Sequence, residues 1–287
     1  MADLTQLRTL QRGAIAWLEG RTLQPDLQQA NLSGMNLRGM DFRGCDLRSA
    51  DLSHCKLVSA NLEQANLSHT NLNQTQFNQA ILIRANLLSS VGEAIDAEGA
   101  NFEAATLMGS EFQASNFSNA SFEFANCRAA NFNQGSFIQS NFHGAQLDRA
   151  SFSHAQMRSV NLAMAQAEGA VFFEAELQGA HCYRLQARSA QFINAHLAQM
   201  YGVGSDFRDI QGQCADFRSG VLMRSNFRGA NLSGANFWGA NLSDSNLQDT
   251  NLVDANFRGA NLTGADLRGA KLDRTKLQDA IQSAVIW

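Results

Sequence analysis

Six histidines, five cysteines and many serines and aspartates are the residues of this 287-residue chain that could do chemistry. Histidine with cysteine could hold zinc, a cysteine beside a base could attack a carbonyl, and serine, histidine and aspartate together could transfer an acyl group. Their spacing supports none of these. His54, His69, His143, His154, His181 and His196 contain no His-Glu-x-x-His pair, and Cys45, Cys55, Cys127, Cys182 and Cys214 start no Cys-x-x-Cys or Cys-x-x-His step. His181 beside Cys182 is tempting, but adjacent residues in this chain's pattern point in different directions. The glycines recur in Leu-Arg-Gly and Phe-Arg-Gly steps, not in a phosphate loop before a helix. We therefore expect no enzyme, no metal site and no cofactor.

The elements that position these residues follow from one lattice. Every fifth residue from Leu27 to Leu277 gives 51 positions, of which 43 are Leu, Phe or Met, and 17 of the 19 Phe residues fall on it. Neither a helical period of 3.6 nor strand alternation produces that pattern. Two residues earlier runs a second lattice of small residues: Ala30, Cys45, Ala50, Cys55, Ala60 and on to Ala270 and Thr275. Between the two sits Asn or Asp in most units, as in Ala30-Asn31-Leu32 and Ala260-Asn261-Leu262. That residue type bonds nearby backbone at turns.

A unit reading A(N/D)LXX over about nine tenths of the chain resembles the pentapeptide-repeat family. The resemblance implies an all-β solenoid, a right-handed quadrilateral β-helix with four units per coil. Large and small residues point inward and the last two positions point outward. A five-residue unit buries no core alone, so units must stack. Four units per coil give about 12 to 13 coils, and a spacing of roughly 4.8 Å makes a rod on the order of 60 Å long.

Three segments are expected. Residues 1–24 form an N-terminal α-helical cap with an entry turn, residues 25–279 the β-helix, and residues 280–287 an apolar cap or dimer tail. In the cap, one helix is expected from Asp3 to about Glu19. Asp3 with Gln6 fits a capping box, Leu4, Leu7, Leu10, Ala14, Trp17 and Leu18 make an apolar stripe, and Gly20 suits the helix end. Ile281, Val285, Ile286 and Trp287 either lid the last coil or make a homodimer contact; some relatives in the family dimerise at this end. No secretory leader or membrane-spanning apolar stretch is evident, so the cytoplasm is the expected compartment. Cys45, Cys55, Cys127 and Cys182 read as core fillers, and Cys214 should face outward.

Eight positions break the large lattice: Gly92, Ala97, Cys127, Ala167, Cys182, Ala187, Gly202 and Gly212. Four of them follow an unusually bulky residue at the small position, giving Ile95/Ala97, Leu185/Ala187, Met200/Gly202 and Ile210/Gly212. Close packing punishes voids, so the size swap argues that these segments stay in the coil. Residues 89–99 are the test case: Ile95 with Ala97 points to coil, whereas Gly92 after Ser90 lacks a partner and leaves a loop open.

Outward residues twenty apart should stack in columns. Arg188, Arg208, Arg228 and Arg268 share one; Arg218, Trp238 and Arg258 share the opposite one, where a cation–π stack is possible. Residues 91–180 carry ten carboxylates against three arginines, within a net charge of −4. Tyr183, Val203 and Met223 form an outward apolar column, with Phe173 and Ile193 across the coil. The expected function is a non-enzymatic scaffold that binds a protein partner through these faces. The alternative is a DNA-mimicking protector of a type II topoisomerase, an activity that the resemblance brings from some relatives. Direct nucleic-acid binding is disfavoured by the acidic pI of 5.9.

Overall fold

Each five-residue unit closes one turn and makes one ladder contact. Ala30 N–H donates to the Leu27 carbonyl at 3.1 Å, closing a turn whose third residue, Gln29, has φ 59°. A positive φ at that place is the type II pattern. It costs an L-residue roughly 1–2 kcal/mol, which is why glycine takes the same place at Gly204, φ 68°. Asn31, next along, receives no turn bond of its own and pairs in parallel with Asp51, twenty residues on. Leu32 N–H donates to the Asp51 carbonyl at 2.8 Å and Asp51 N–H to the Ala30 carbonyl at 2.9 Å. The Asn31 side chain turns back to accept from Ser33 N–H at 3.1 Å. Repetition of this unit gives the right-handed four-sided β-helix.

The computed structural model describes residues 3–287. They fall into two compact units, the first ending at Asn141 and the second spanning Phe142–Trp287.

In the first unit, the segment before the coil forms two helices where the sequence predicts one: α1, Leu4–Gln11, and α2, Ala14–Gly20. Gly13, at φ 101°, cannot continue a helix and becomes the N-cap of α2. Half of the capping box forms. Asp3 Oδ1 accepts from Thr5 N–H at 2.7 Å and Gln6 N–H at 3.4 Å. Gln6 does not return the bond; it is buried, donating to the Gly20 carbonyl and accepting from Thr22 N–H, both at 3.3 Å. Gly20 is not a left-handed cap either: it ends α2 without a positive φ, and it serves the close approach of α2 to α1, where a Cβ would stand 2.9 Å from Thr9 Cγ2. Of the predicted stripe, Leu10 and Trp17 are buried, Leu7 is half-buried, and Leu4 and Leu18 are exposed. The Ala14 side chain lies outside the described residues.

Trp17 carries the contact to the first coil. Its Nε1 donates to the Asp41 carbonyl at 2.6 Å and its ring lies 5.5 Å from that of Phe42. Arg21 reaches the same carbonyl and pairs with the Asp41 carboxylate at 2.9 Å. Asp41 is also held by Arg43, whose Nη2 is 2.8 Å from Oδ2. The side-chain bond from Arg43, helped by Arg21, lowers the Asp41 pKa to about 2 against the cost of burial.

The interior consists of the two inward lattices. In the first unit Phe102 stacks on Phe122 at 4.9 Å and Phe117 on Phe137 at 5.2 Å. In the second, Phe152, Phe172 and Phe192 stack at 5.4 and 4.8 Å, and Phe217, Phe237 and Phe257 at 4.8 Å each. Hydroxyls at small positions bond core carbonyls, as Thr75 Oγ1 does to Leu52 at 2.8 Å, which offsets their desolvation; Ser245 Oγ is buried without such a partner.

The lattice breaks remain inside. Ile95, Ala97, Leu185, Ala187, Met200 and Ile210 are all buried. Residues 89–99 keep the ladder, with Asn71 paired to Val91 and Gln76 to Asp96. The partner that Gly92 lacks in its own unit comes from the next one: the Ile95 Cδ1 lies 2.5 Å from where a Gly92 Cβ would stand. At Gly202 the volume is taken by Met200 Cε and Leu222 Cδ2, each 3.0 Å from such a Cβ.

At the other end, residues 281–286 keep the coil register and fold no lid over it. Ile281 N–H donates to the Ala260 carbonyl and Ile286 N–H to that of Ala265, both at 2.9 Å. No helix among the described residues is long and apolar enough to cross a membrane.

Two outcomes test this packing. Phe172→Ala, in the middle of a three-ring stack, should cost about 3–5 kcal/mol in urea unfolding. Asp41→Asn should lower stability near pH 7. A carboxyl whose folded pKa is depressed stabilises above its unfolded pKa of 3.8 and loses that contribution as pH falls towards about 2. The gap between Asp41→Asn and wild type should therefore close in denaturation curves taken from pH 5 down to pH 2.

Candidate functional site

Where a unit carries Asn or Asp, that side chain stabilises its own corner; between residues 146 and 211 the position lapses on all four faces, so the residue that replaces it is what distinguishes one face from another. On one face of the second unit the sequence keeps Asn161 and Asn241, whose Oδ1 atoms accept from Ala163 and Ser243 N–H at 3.1 Å each. Between them the same position holds His181, Tyr201 and Val221, which pair in successive coils. None of these three side chains makes the Asn corner bond, a net interaction worth about 1 kcal/mol at each position.

In place of those bonds the face presents rings. Tyr201 is 39% exposed, and its ring lies 5.6 Å from His181 and 6.5 Å from Tyr183. The Arg184 guanidinium sits over Tyr183, 5.2 Å from the ring centre. Tyr183, Val203 and Met223 line the adjoining corner, half-buried, and Met164 is exposed at its edge. Sequence reading finds the column of Tyr183, Val203 and Met223 but not Tyr201, His181 or Val221. The signal for them is a ring or apolar side chain in place of Asn or Asp at the second position of the unit. Phe173 and Ile193 lie on the opposite face, half-buried and not joined to this cluster. Phe173 is covered by the edge of His154 at 5.4 Å, whose Nδ1 is 3.3 Å from Glu174.

The arginine columns exist but are not free charge. Arg208 and Arg218 are clamped by the aspartate two residues earlier, with Nη2 to Oδ2 distances of 2.5 Å to Asp206 and 2.7 Å to Asp216. Arg268 is held by Asp266 at 2.7 Å. Arg188 and Arg228 reach Asp209 and Asp249 at 3.2 and 3.3 Å. Burial alone would raise the pKa of Asp206 and Asp216, but the arginine hydrogen bonds outweigh it and both are lowered. Arg258, following Asn256 instead of Asp, has no such clamp and bonds Gln278 Oε1 at 2.9 Å. The expected cation–π stack on Trp238 does not form, because Asp216 draws the Arg218 guanidinium away. Trp238 is 53% exposed and edges a shallow depression of about 240 Å³ with Ala198, Gln199, Arg218 and Ser219.

The other candidate residues fall as follows. Ile281, Ile286 and Trp287 are exposed and Val285 is half-buried. Cys45, Cys55, Cys127 and Cys182 are buried and Cys214 is exposed. Burial raises the Cys45 and Cys182 thiols to about 12 and Cys55 to about 11, which leaves them protonated and unreactive at neutral pH. Among the described residues no group of three or more His, Cys, Asp or Glu could hold a metal ion.

The pentapeptide repeats model matches residues 26–64, 60–90, 94–123, 125–163, 213–249, 221–259 and 240–279. Most of the aromatic face lies between residues 163 and 213, outside those ranges. No curated protein matches the chain. Among solved structures, HetL, a pentapeptide repeat protein involved in heterocyst differentiation regulation from Nostoc sp. strain PCC 7120, is 25% identical. That match covers 98% of this chain and 96% of HetL, with TM-score 0.33. Full-length QnrB1, a plasmid-mediated fluoroquinolone resistance protein, is 17% identical over 72% of this chain and 90% of its own, with TM-score 0.42. A pentapeptide repeat protein of the Arabidopsis thaliana thylakoid lumen is 22% identical over 46% and 68%, with TM-score 0.16.

The clamp geometry yields a direct test. In Asp206→Asn with Asp216→Asn, the Asn side chains keep the corner bonds but release Arg208 and Arg218. The double variant should elute from a heparin column at higher salt than wild type, with its unfolding midpoint shifted by only a few degrees. Unchanged elution would mean that the pairs do not neutralise those arginines in solution.

Proposed function

Because this chain belongs to the pentapeptide-repeat family, we propose that it is a non-enzymatic scaffold that binds a partner protein through the face of Tyr183, Tyr201, Val203 and Met223. The observation that carries this reading is the ring cluster itself: on the other faces the lapsed position holds mostly Gln, Ser or Glu, whereas here it holds His181, Tyr201 and Val221, with Tyr183 and Arg184 beside them. A surface that gives up local stability for exposed rings has the composition of a contact site, where Tyr and Arg supply most binding energy. Half-buried rings held at fixed spacing on a stiff ladder also lose little entropy on binding.

Protection of a type II topoisomerase by DNA mimicry is the weaker reading. Duplex DNA carries about one negative charge per 1.7 Å of axis, whereas Asp206, Asp216 and Asp266 are each neutralised by an arginine two residues on. Self-association is a second contact this reading includes. The exposed Ile281, Ile286 and Trp287 support pairing through the coil that carries them.

Affinity capture from the source cell should recover a protein with wild-type bait and lose it with Tyr183→Asp and Met223→Asp. Phe173→Ser, on the opposite face, should leave capture unchanged; equal capture by all baits would overturn the reading. Gyrase supercoiling, with or without a quinolone, should be unaffected by micromolar chain, and restored supercoiling in the presence of drug would favour the mimic. Light scattering should show a dimer that Ile286→Asp dissociates; a monomer at all concentrations would remove self-association.

A further inference from the structure

Resting on the reading of the Tyr201 face as a protein contact, we infer that its occupant is a segment of a partner protein carrying a carboxylate beside apolar side chains. The carboxylate seats between Arg184 and Arg224, above Gly204. These three residues occupy one corner in successive coils, with φ 53°, 57° and 68° for Arg184, Arg224 and Gly204. Coils stand roughly 4.8 Å apart, so the two arginine stems rise on the order of 10 Å from one another. Gly204 leaves the space between them open, since a Cβ there would meet only the Arg184 Cγ, at 3.7 Å. That gap admits one carboxylate with a guanidinium on either side.

The charges of the notch point to an anion. The second unit ties up most of its arginines at close range, as at Arg208, Arg218 and Arg268. Arg184 has no carboxylate partner among the described residues; it is laid on the Tyr183 ring, which holds the guanidinium in place without neutralising it. Arg224 has Asp244 at 3.9 Å, with both side chains well exposed, a weak pair that an incoming carboxylate can replace. The local sequence accounts for the difference. Arg208, Arg218 and Arg268 lie two residues after an aspartate, whereas Arg184 and Arg224 lie at the last position of the unit, out of that reach.

Next to the notch, Tyr201, Val203 and Met223 offer the apolar part of the site. A ligand carrying an acidic group with a bulky apolar neighbour satisfies both halves. A purely apolar segment leaves two guanidinium groups crowded against it, and a basic one is repelled.

The test uses the full chain with Cys214→Ser, immobilised, and a phage-displayed library of random twelve-residue peptides. Recovered peptides are resynthesised with a fluorophore and measured by anisotropy. Peptides should be enriched in Asp or Glu beside an aromatic or aliphatic residue, bind more weakly as salt rises, and lose about tenfold or more in affinity to Arg184→Gln with Arg224→Gln. Gly204→Glu, which fills the notch with a carboxylate of its own, should do the same, with unfolding curves checking each variant's fold. Peptides without acidic preference that depend on Tyr201→Asp but not on Arg184→Gln would overturn the carboxylate inference and leave the contact face standing. Recovery of no peptide, or binding indifferent to Tyr201→Asp, would overturn both. Preferential binding of a labelled dT20 oligonucleotide, lost in Arg184→Gln, would replace the protein segment by a nucleic acid.

Discussion

One bulky and one small side chain must enter a shared interior every five residues, and the backbone between them must still satisfy its hydrogen bonds. The parallel contact at twenty residues meets both needs, since each quarter of a coil has one bridge position and one closed turn. Burial and hydrogen bonding are then the same geometric fact. A coil that lost its inward pair would also lose the register of its bridge, which is why the size swaps at Met200/Gly202 and Ile210/Gly212 preserve volume while changing sequence.

The same constraint shapes the surface. Because the interior fixes two positions of five, the Asn or Asp position and the two corner positions carry everything a partner could meet. The Asn or Asp position decides how a neighbouring arginine behaves. With Asp it makes a neutral pair, as at Asp216 and Arg218; with Asn the arginine goes elsewhere, as Arg258 does to Gln278. A change from Asp to Asn is thus a change of surface charge by two mechanisms, the lost carboxylate and the freed guanidinium. Where that position is given over to His181, Tyr201 and Val221, the corner loses its local bond and the face gains rings. Local stability and recognition compete for one residue, and the stiffness of adjoining coils lets the fold absorb the loss.

Much of this is legible from the period of the chain. The five-residue lattice fixes which side chains point inward, and the swap at Ile95/Ala97 indicates that residues 89–99 remain in the coil. What is not legible depends on contacts between units. Gly92 is unpartnered within its own five residues because the atom that fills its place is the Ile95 δ-methyl of the next unit. The helical segment reads as one helix because Leu10 and Trp17 fall on a common stripe, yet Gly13 breaks it and Gln6 bonds forward to Gly20 and Thr22. Columns can be drawn from sequence, so Tyr183, Val203 and Met223 are found together. Whether a columnar arginine is free requires knowing that its guanidinium bends back to Asp206 or Asp216, a rotamer choice that spacing does not carry. Tyr201 is missed because a position defined by its usual Asn is read as structural wherever it occurs.

The central claim is the twenty-residue register, and proximity labelling reads it directly. In a Cys214→Ser background, where the remaining cysteines are buried, pyrene is attached to cysteines placed at Ser233 and Val253, twenty residues apart, or at Ser233 and Ser243, ten apart. The first pair should show strong excimer emission, because the two labels stand on the same corner of adjacent coils; the second should show monomer emission alone, from opposite sides of a coil. Excimer from the ten-residue pair and none from the twenty-residue pair would contradict the account.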